Sequence, residues 1–131
     1  MELKTGIVGK QTITVTMDMT AGEQKSGELP VFATPKMIAF MENTAYQSVA
    51  EYLEEGQGTV GTYIAVKHMA ATPVDMKVTF ETILKEIDRK RLVFQVKAYD
   101  EKECIGEGEH ERFIIDNHKF LKKTEEKKLG E

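Results

Sequence analysis

The chain has 131 residues, 40% hydrophobic and 31% charged, which fits one globular domain with a modest core. Its 22 acidic and 18 basic residues leave a formal charge of −4, arguing against general nucleic-acid binding and against attachment to an anionic membrane surface. A single cysteine, Cys104, rules out an internal disulfide or a cysteine-rich metal site.

The first segment, MELKTGIVGK, has no apolar run of signal-peptide length, and nothing later approaches membrane-spanning length. A soluble, cytoplasmic protein is therefore expected. QTITVTM alternates and predicts a strand with Ile13, Val15 and Met17 on one side. Residues 18–31 are polar and glycine-bearing and read as a loop. Phe32 to Leu53, FATPKMIAFMENTAYQSVAEYL, reads as one helix, with Thr34 as N-cap and Pro35 at the first helical position. Met37, Ile38, Met41, Ala45, Val49, Tyr52 and Leu53 recur at three- and four-residue steps and form its apolar stripe. Glu42 falls inside that stripe, between Ile38 and Val49, so one carboxylate is aimed at the core. A buried carboxylate is costly unless it is paired, hydrogen-bonded or protonated. Either Glu42 sits at a wet edge and satisfies backbone groups, or it takes part in chemistry.

EEGQG stops the helix at Gly56 and Gly58. TVGTYIAVKHMAA predicts a long strand, ended by Thr72-Pro73. Regular alternation places Val60, Thr62, Ile64, Val66, His68 and Ala70 on one face and Lys67 on the other. DMKVTFETILKEI, with Met76, Val78, Phe80, Thr82 and Leu84, and LVFQVKAYD, with Leu92, Phe94, Val96 and Ala98, alternate on either side of a charged DRKR turn. A DEKE turn leads into ECIGEGEHERFII, which sets Cys104, Gly106, Gly108, His110 and Arg112 on one face. The two glycines there let the helix approach the sheet closely. The charged tail from about residue 122, KKTEEKKLGE, reads as frayed. The whole predicts a single α+β domain over residues 1–131, in which one long helix covers an antiparallel sheet of about five strands. One helix leaves part of such a sheet exposed, so self-association is expected.

His118 reads as a surface residue. His68, on the apolar side of its strand, is either a hydrogen-bonded core histidine or a catalyst. His110 and Arg112 read as partners for backbone or carboxylates. No HExxH, phosphate-binding glycine loop or GxSxG elbow is present, and no metal site is expected.

Three stretches, FATPKMIAFMENTAYQSV, EEGQGTVGTYIAVKHMAATPVDMKV and GEGEHERFIID, resemble the fluoroacetyl-CoA thioesterase group of hotdog-fold proteins. The resemblance runs from about Val15 to Leu121. It implies a long helix wrapped by an antiparallel sheet, paired into a homodimer or dimer of dimers with active sites at the interface. It also implies catalytic roles for Thr34, Glu42 and His68, and a place beside the thioester carbonyl for Gly61. No cofactor is implied beyond the CoA of the substrate.

Thioester hydrolysis needs a nucleophile or activated water, a proton shuttle and a stabilised oxyanion. By the resemblance, His68 would act as base and then as acid toward the departing thiolate. Glu42 would orient the imidazole, activate water or attack the carbonyl itself, and Thr34 would serve as nucleophile or as hydrogen-bonding partner. The family's namesake covers its fluorinated acyl group with aromatic residues from the loop before the helix. Here that loop, TAGEQKSGELP, has none, which implies a different, small or medium acyl-CoA. The alternative from another class is a non-catalytic acyl-CoA binding module of the same fold. A hydratase of this fold is a third reading, but it lacks the short aspartate–histidine motif it would need around His68 or His110.

Overall fold

A computed structural model describes residues 2–129. Five strands and two helices follow in the order β1 (Val8–Thr14), α1 (Thr34–Ala50), β2 (Gln57–His68), β3 (Lys77–Asp88), β4 (Arg91–Tyr99), β5 (Cys104–Asp116) and α2 (Asn117–Glu125). The strands form one antiparallel sheet in the order β1-β3-β4-β5-β2. The α+β expectation and the strand count hold.

Helix α1 lies on one face of the sheet and buries Met37, Met41, Thr44, Ala45 and Val49. These meet the inward residues of β3 and β4, among them Val78, Phe80, Leu84, Leu92, Phe94 and Val96, all fully buried. Removing each such side chain from water contributes roughly 1.5–3 kcal/mol. Phe32, Phe40 and Phe80 form an aromatic cluster at the start of the helix, with ring centroids 5.4–6.4 Å apart. Gly106 allows the close approach that its position suggested: a Cβ there would lie 2.6 Å from Met37 Sδ.

Several local expectations change. The first strand is Val8–Thr14, so of the expected face only Ile13 lies in it: Val15 follows the strand and is buried, and Met17 is exposed in a short 3-10 turn. The helix is shorter than residues 32–53 at both ends. Its N-cap is Ala33, not Thr34, and no side chain caps it. Thr34 is the first helical residue, which places Pro35 second rather than first, and the hydroxyl of Thr34 is left for another partner. The tail is not frayed throughout: residues 117–125 form α2, capped by Asp116, whose carboxylate accepts the Lys119 N–H at 3.0 Å. The last two residues of the tail lie outside the described ones.

The largest change is in β2. Its register against β5 slips between Gly61 and Tyr63, making Thr62 an extra, bulged residue. Before the bulge Thr59 and Gly61 pair with Ile114 and Arg112; after it Ile64, Val66 and His68 pair with His110, Gly108 and Gly106. Directly paired residues share a face. Regular alternation from Val60 through Thr62 to His68 therefore fails, and Gly61 and His68, seven residues apart, project to the same side. Strict alternation would have sent them to opposite sides.

Candidate active site

The start of α1 and the end of β2 hold the first pair. Ala33 stays extended and Thr34 opens the helix, so its hydroxyl is not spent on a cap. Thr34 Oγ1 lies 2.7 Å from Nδ1 of His68. Burial lowers the His68 pKa, opposed in part by the backbone at Ala70, so the imidazole is neutral at pH 7. With its proton on Nε2, Nδ1 accepts from the threonine hydroxyl, the arrangement of a base poised on an alcohol. A pocket of about 290 Å³ opens beside the pair, walled by Ala21, Ser26, Val31, Phe32, Met69 and Ala70.

Two turns further along α1, Glu42 faces β2. The expectation of a carboxylate inside the core is corrected: Glu42 is half-buried at the margin of the packed face, because α1 leaves it beside the sheet edge rather than over the sheet centre. It lines a second pocket, of about 330 Å³, with Gly61, Tyr63, Ile64 and His110. A Cβ on Gly61 would lie 3.3 Å from His110 Cε1, 3.4 Å from Arg112 Nη1 and 3.8 Å from Glu42 Oε1. Glycine at this point keeps open the space on which all three side chains converge.

The resemblance gave no role to His110 or Arg112, yet both are buried and both belong to this second group. Arg112 donates from Nε to Thr59 Oγ1 at 2.8 Å, from Nη2 to Thr59 O at 2.9 Å, and from Nη1 to His110 Nε2 at 3.2 Å. Its guanidinium also lies 5.7 Å from the centroid of the Tyr46 ring. His110 Nδ1 donates to Tyr63 O at 2.8 Å, and the ring stacks on Phe94. Burial lowers the pKa of His110, reinforced by the Arg112 charge and opposed by the Tyr63 carbonyl, Glu42 and Glu111. Burial also lowers that of Arg112, with Glu42 and Tyr46 opposing. The signal in the sequence was the even spacing of Gly106, Gly108, His110 and Arg112, which puts two strong polar side chains on the helix-facing side of β5.

The four expected residues thus fall into two pairs, Thr34 with His68 and Glu42 with Gly61. Eight residues of helix separate Thr34 from Glu42, roughly 12 Å along the axis. Within one chain the pairs line separate pockets. Among the described residues no group of three or more His, Cys, Asp or Glu side chains is placed to hold a metal ion, and no helix is long and apolar enough to cross a membrane.

A long central helix wrapped by a five-stranded antiparallel sheet, carrying threonine, histidine and glutamate beside its edge strand, defines a hotdog-fold protein of the thioesterase type. The chain matches the fluoroacetyl-CoA-specific thioesterase family over residues 15–118 and belongs to that family. It is 42% identical over 97 residues to the fluoroacetyl-CoA thioesterase of Streptantibioticus cattleyicolor, covering 74% of this chain and 70% of that protein. The structure of the fluoroacetyl-CoA thioesterase FlK superposes with a TM-score of 0.91 at 34% identity, covering 97% of this chain and 98% of the other. A thioesterase superfamily member from Thermus thermophilus superposes at 0.88 with 27% identity, covering 98% and 97% of the two chains.

Proposed function

We propose that the protein is an acyl-CoA thioesterase that hydrolyses a small or medium acyl-CoA to the free acid and CoA. The observation that carries this reading is the 2.7 Å contact between Thr34 Oγ1 and His68 Nδ1 in a chain of this family. A neutral imidazole takes the proton of the attacking oxygen as that oxygen bonds to the thioester carbonyl carbon. The carbon–sulfur bond then breaks, and the imidazolium returns the proton to the thiolate of CoA. Attack by water gives the acid directly, and attack by the Thr34 hydroxyl leaves an acyl-enzyme that a second, His68-activated water hydrolyses. The Glu42 carboxylate has no proton to give: its attack expels the CoA thiolate and leaves an anhydride, and His68 then takes its proton from the water that opens it. Gly61 supplies room for the carbonyl beside Glu42, and its backbone N–H is the donor assigned to the oxyanion.

The same reading calls for a homodimer, or a dimer of dimers built from it. Strand β2 is a sheet edge of 12 residues, and among the described residues its outer side pairs with no other strand. A free edge of that length is a template for a second strand. Tyr63 on it is 50% exposed and Tyr46 beside it on α1 is 43% exposed. Antiparallel pairing of two copies of β2 about a two-fold axis carries the Gly61 end of one strand toward the His68 end of the other. Each complete site is then built from Thr34 and His68 of one copy with Glu42 and Gly61 of its partner. The uncovered sheet face is a weaker reason for association than the sequence suggested, because Lys67, Lys97, Gln95, Glu107 and Glu109 make much of it polar.

FlK has been crystallised, as a point mutant, with fluoroacetate and CoA. In this chain the pocket at Thr34 and His68 is walled by alanine, valine, serine and Met69 side chains plus Phe32, which is buried against Phe40 and Phe80. Residues 20–30 offer no aromatic cover. That composition favours an acyl group other than fluoroacetyl. Acyl-CoA is an intracellular thioester, and a substrate of that kind supports a cytoplasmic location. The test is thiol release over a panel from acetyl- and fluoroacetyl-CoA to long-chain and aryl-CoA. Release above background supports the reading, whereas binding without release across the panel would leave only an acyl-CoA binding module.

A further inference from the structure

The bulge at Thr62 decides whether Gly61 faces the site, and two hydrogen bonds hold it. Thr62 Oγ1 donates to Glu111 O at 3.2 Å, and His110 Nδ1 donates to Tyr63 O at 2.8 Å, on the residue immediately after the bulge. The second bond is set from the far side of the ring. Arg112 Nη1 donates to Nε2 at 3.2 Å, so that nitrogen must present its lone pair, and the proton of the neutral ring must reside on Nδ1. Arg112 is itself fixed by two bonds to Thr59 on the near side of the bulge. One buried chain of contacts, Thr59–Arg112–His110–Tyr63, therefore spans β2 across its extra residue.

We infer that His110 is a positioning residue for hydrolysis: by clamping Tyr63 O it holds the Thr62 bulge that turns Gly61 toward Glu42 and keeps it on the face that His68 occupies. The inference rests on the thioesterase reading. It assigns His110 no proton transfer to substrate. A relaxed bulge lets Gly61 shift or rotate relative to the carbonyl, and displacements near 1 Å cost up to about 100-fold in rate.

The experiment compares two isosteres. In His110→Asn the side-chain amide nitrogen occupies the place of Nδ1 and can still donate to Tyr63 O. In His110→Gln the amide reaches only as far as Nε2, so it can face Arg112 but abandons Tyr63 O. Both proteins are checked by thermal melting and sedimentation before assay with the best acyl-CoA. The expected result is a kcat roughly 10- to 100-fold lower for His110→Gln with little change in KM, and substantial recovery in His110→Asn. Equal losses in the two variants, or a wild-type kcat in His110→Gln, would overturn the inference. Should His110→Gln not fold, His110→Asn is read alone: it keeps a donor to Tyr63 O, so a folded His110→Asn with a kcat roughly 10-fold or more below wild type overturns the inference. A wild-type protein that releases thiol from no acyl-CoA refutes the thioesterase reading, and this inference with it. An active wild type with an indifferent His110 refutes the inference only.

Discussion

Thr34 Oγ1 and His68 Nδ1 meet at 2.7 Å although 34 residues separate them, because the first turn of α1 packs over the last residue of β2. This contact gives the threonine hydroxyl a partner that a helix cap would have denied it. His68→Ala is expected to keep the fold and to lower acyl-CoA hydrolysis by something like 10²–10⁴-fold, the usual range for a general acid–base group. Thiol-release kinetics at saturating acyl-CoA check it, and near-normal turnover would return His68 to a packing role.

Since Ala33 is the cap, Thr34→Val is expected to spare the melting temperature rather than cost the ~1 kcal/mol of a lost cap. Turnover should fall at least tenfold, about one hydrogen bond's worth of transition-state stabilisation, while Thr34→Ser retains most of it. Calorimetry and kinetics on both variants decide the matter. A large loss of stability in Thr34→Val with unchanged kcat would assign the hydroxyl to structure.

Glu42 stands beside Arg112 and the open space at Gly61 rather than in the apolar core. Glu42→Gln is isosteric and removes the charge, so the melting temperature should hold or rise while activity collapses. A variant that hydrolyses its best acyl-CoA at the wild-type rate would remove Glu42 from the mechanism.

A site divided between two copies makes a sharper demand. Sedimentation at micromolar concentration should show a dimer or a dimer of dimers. When the inactive His68→Ala and Glu42→Gln chains are unfolded together and refolded, roughly half the dimers are mixed, each with one intact site. Activity should then return to about a quarter of wild type. No recovery in a sample proven to contain mixed dimers would mean that each chain builds its site alone.

Burial lowers the pKa of both His68 and His110, so each holds fewer protons folded than unfolded at mildly acidic pH. Their contribution to stability is present in full above about pH 6.5, the unfolded value, and is lost as pH falls from there through the folded values. The acid limb of kcat/KM should likewise lie below 6.5, because hydrolysis uses the neutral His68. Melting temperatures and rates measured from pH 8 down to pH 5 test both. A stability that rises on acidification across that window would contradict the burial of these rings.

Local rules were enough for the elements. The period of the apolar residues from Met37 to Val49 marks the helix, and two-residue alternation in β3 and β4 identifies the buried side chains, because both depend only on backbone geometry and hydrophobic burial. The residue types of the site were legible as well, through the stretches around Thr34, Glu42, Gly61 and His68. What they could not reveal was phase and partnership. The identity of the cap turns on one residue's backbone angles, and Ala33 took the extended conformation that Thr34 was expected to adopt. The side chains of β2 follow alternation only until Thr62, where hydrogen bonds from β5, about fifty residues away, hold an extra residue in place. Those long-range bonds, absent from any window of the sequence, put Gly61 and His68 on one face. His110 and Arg112 do bind backbone, one of the two partners expected of them, and only the fold makes those bonds a frame beside Gly61 and Glu42.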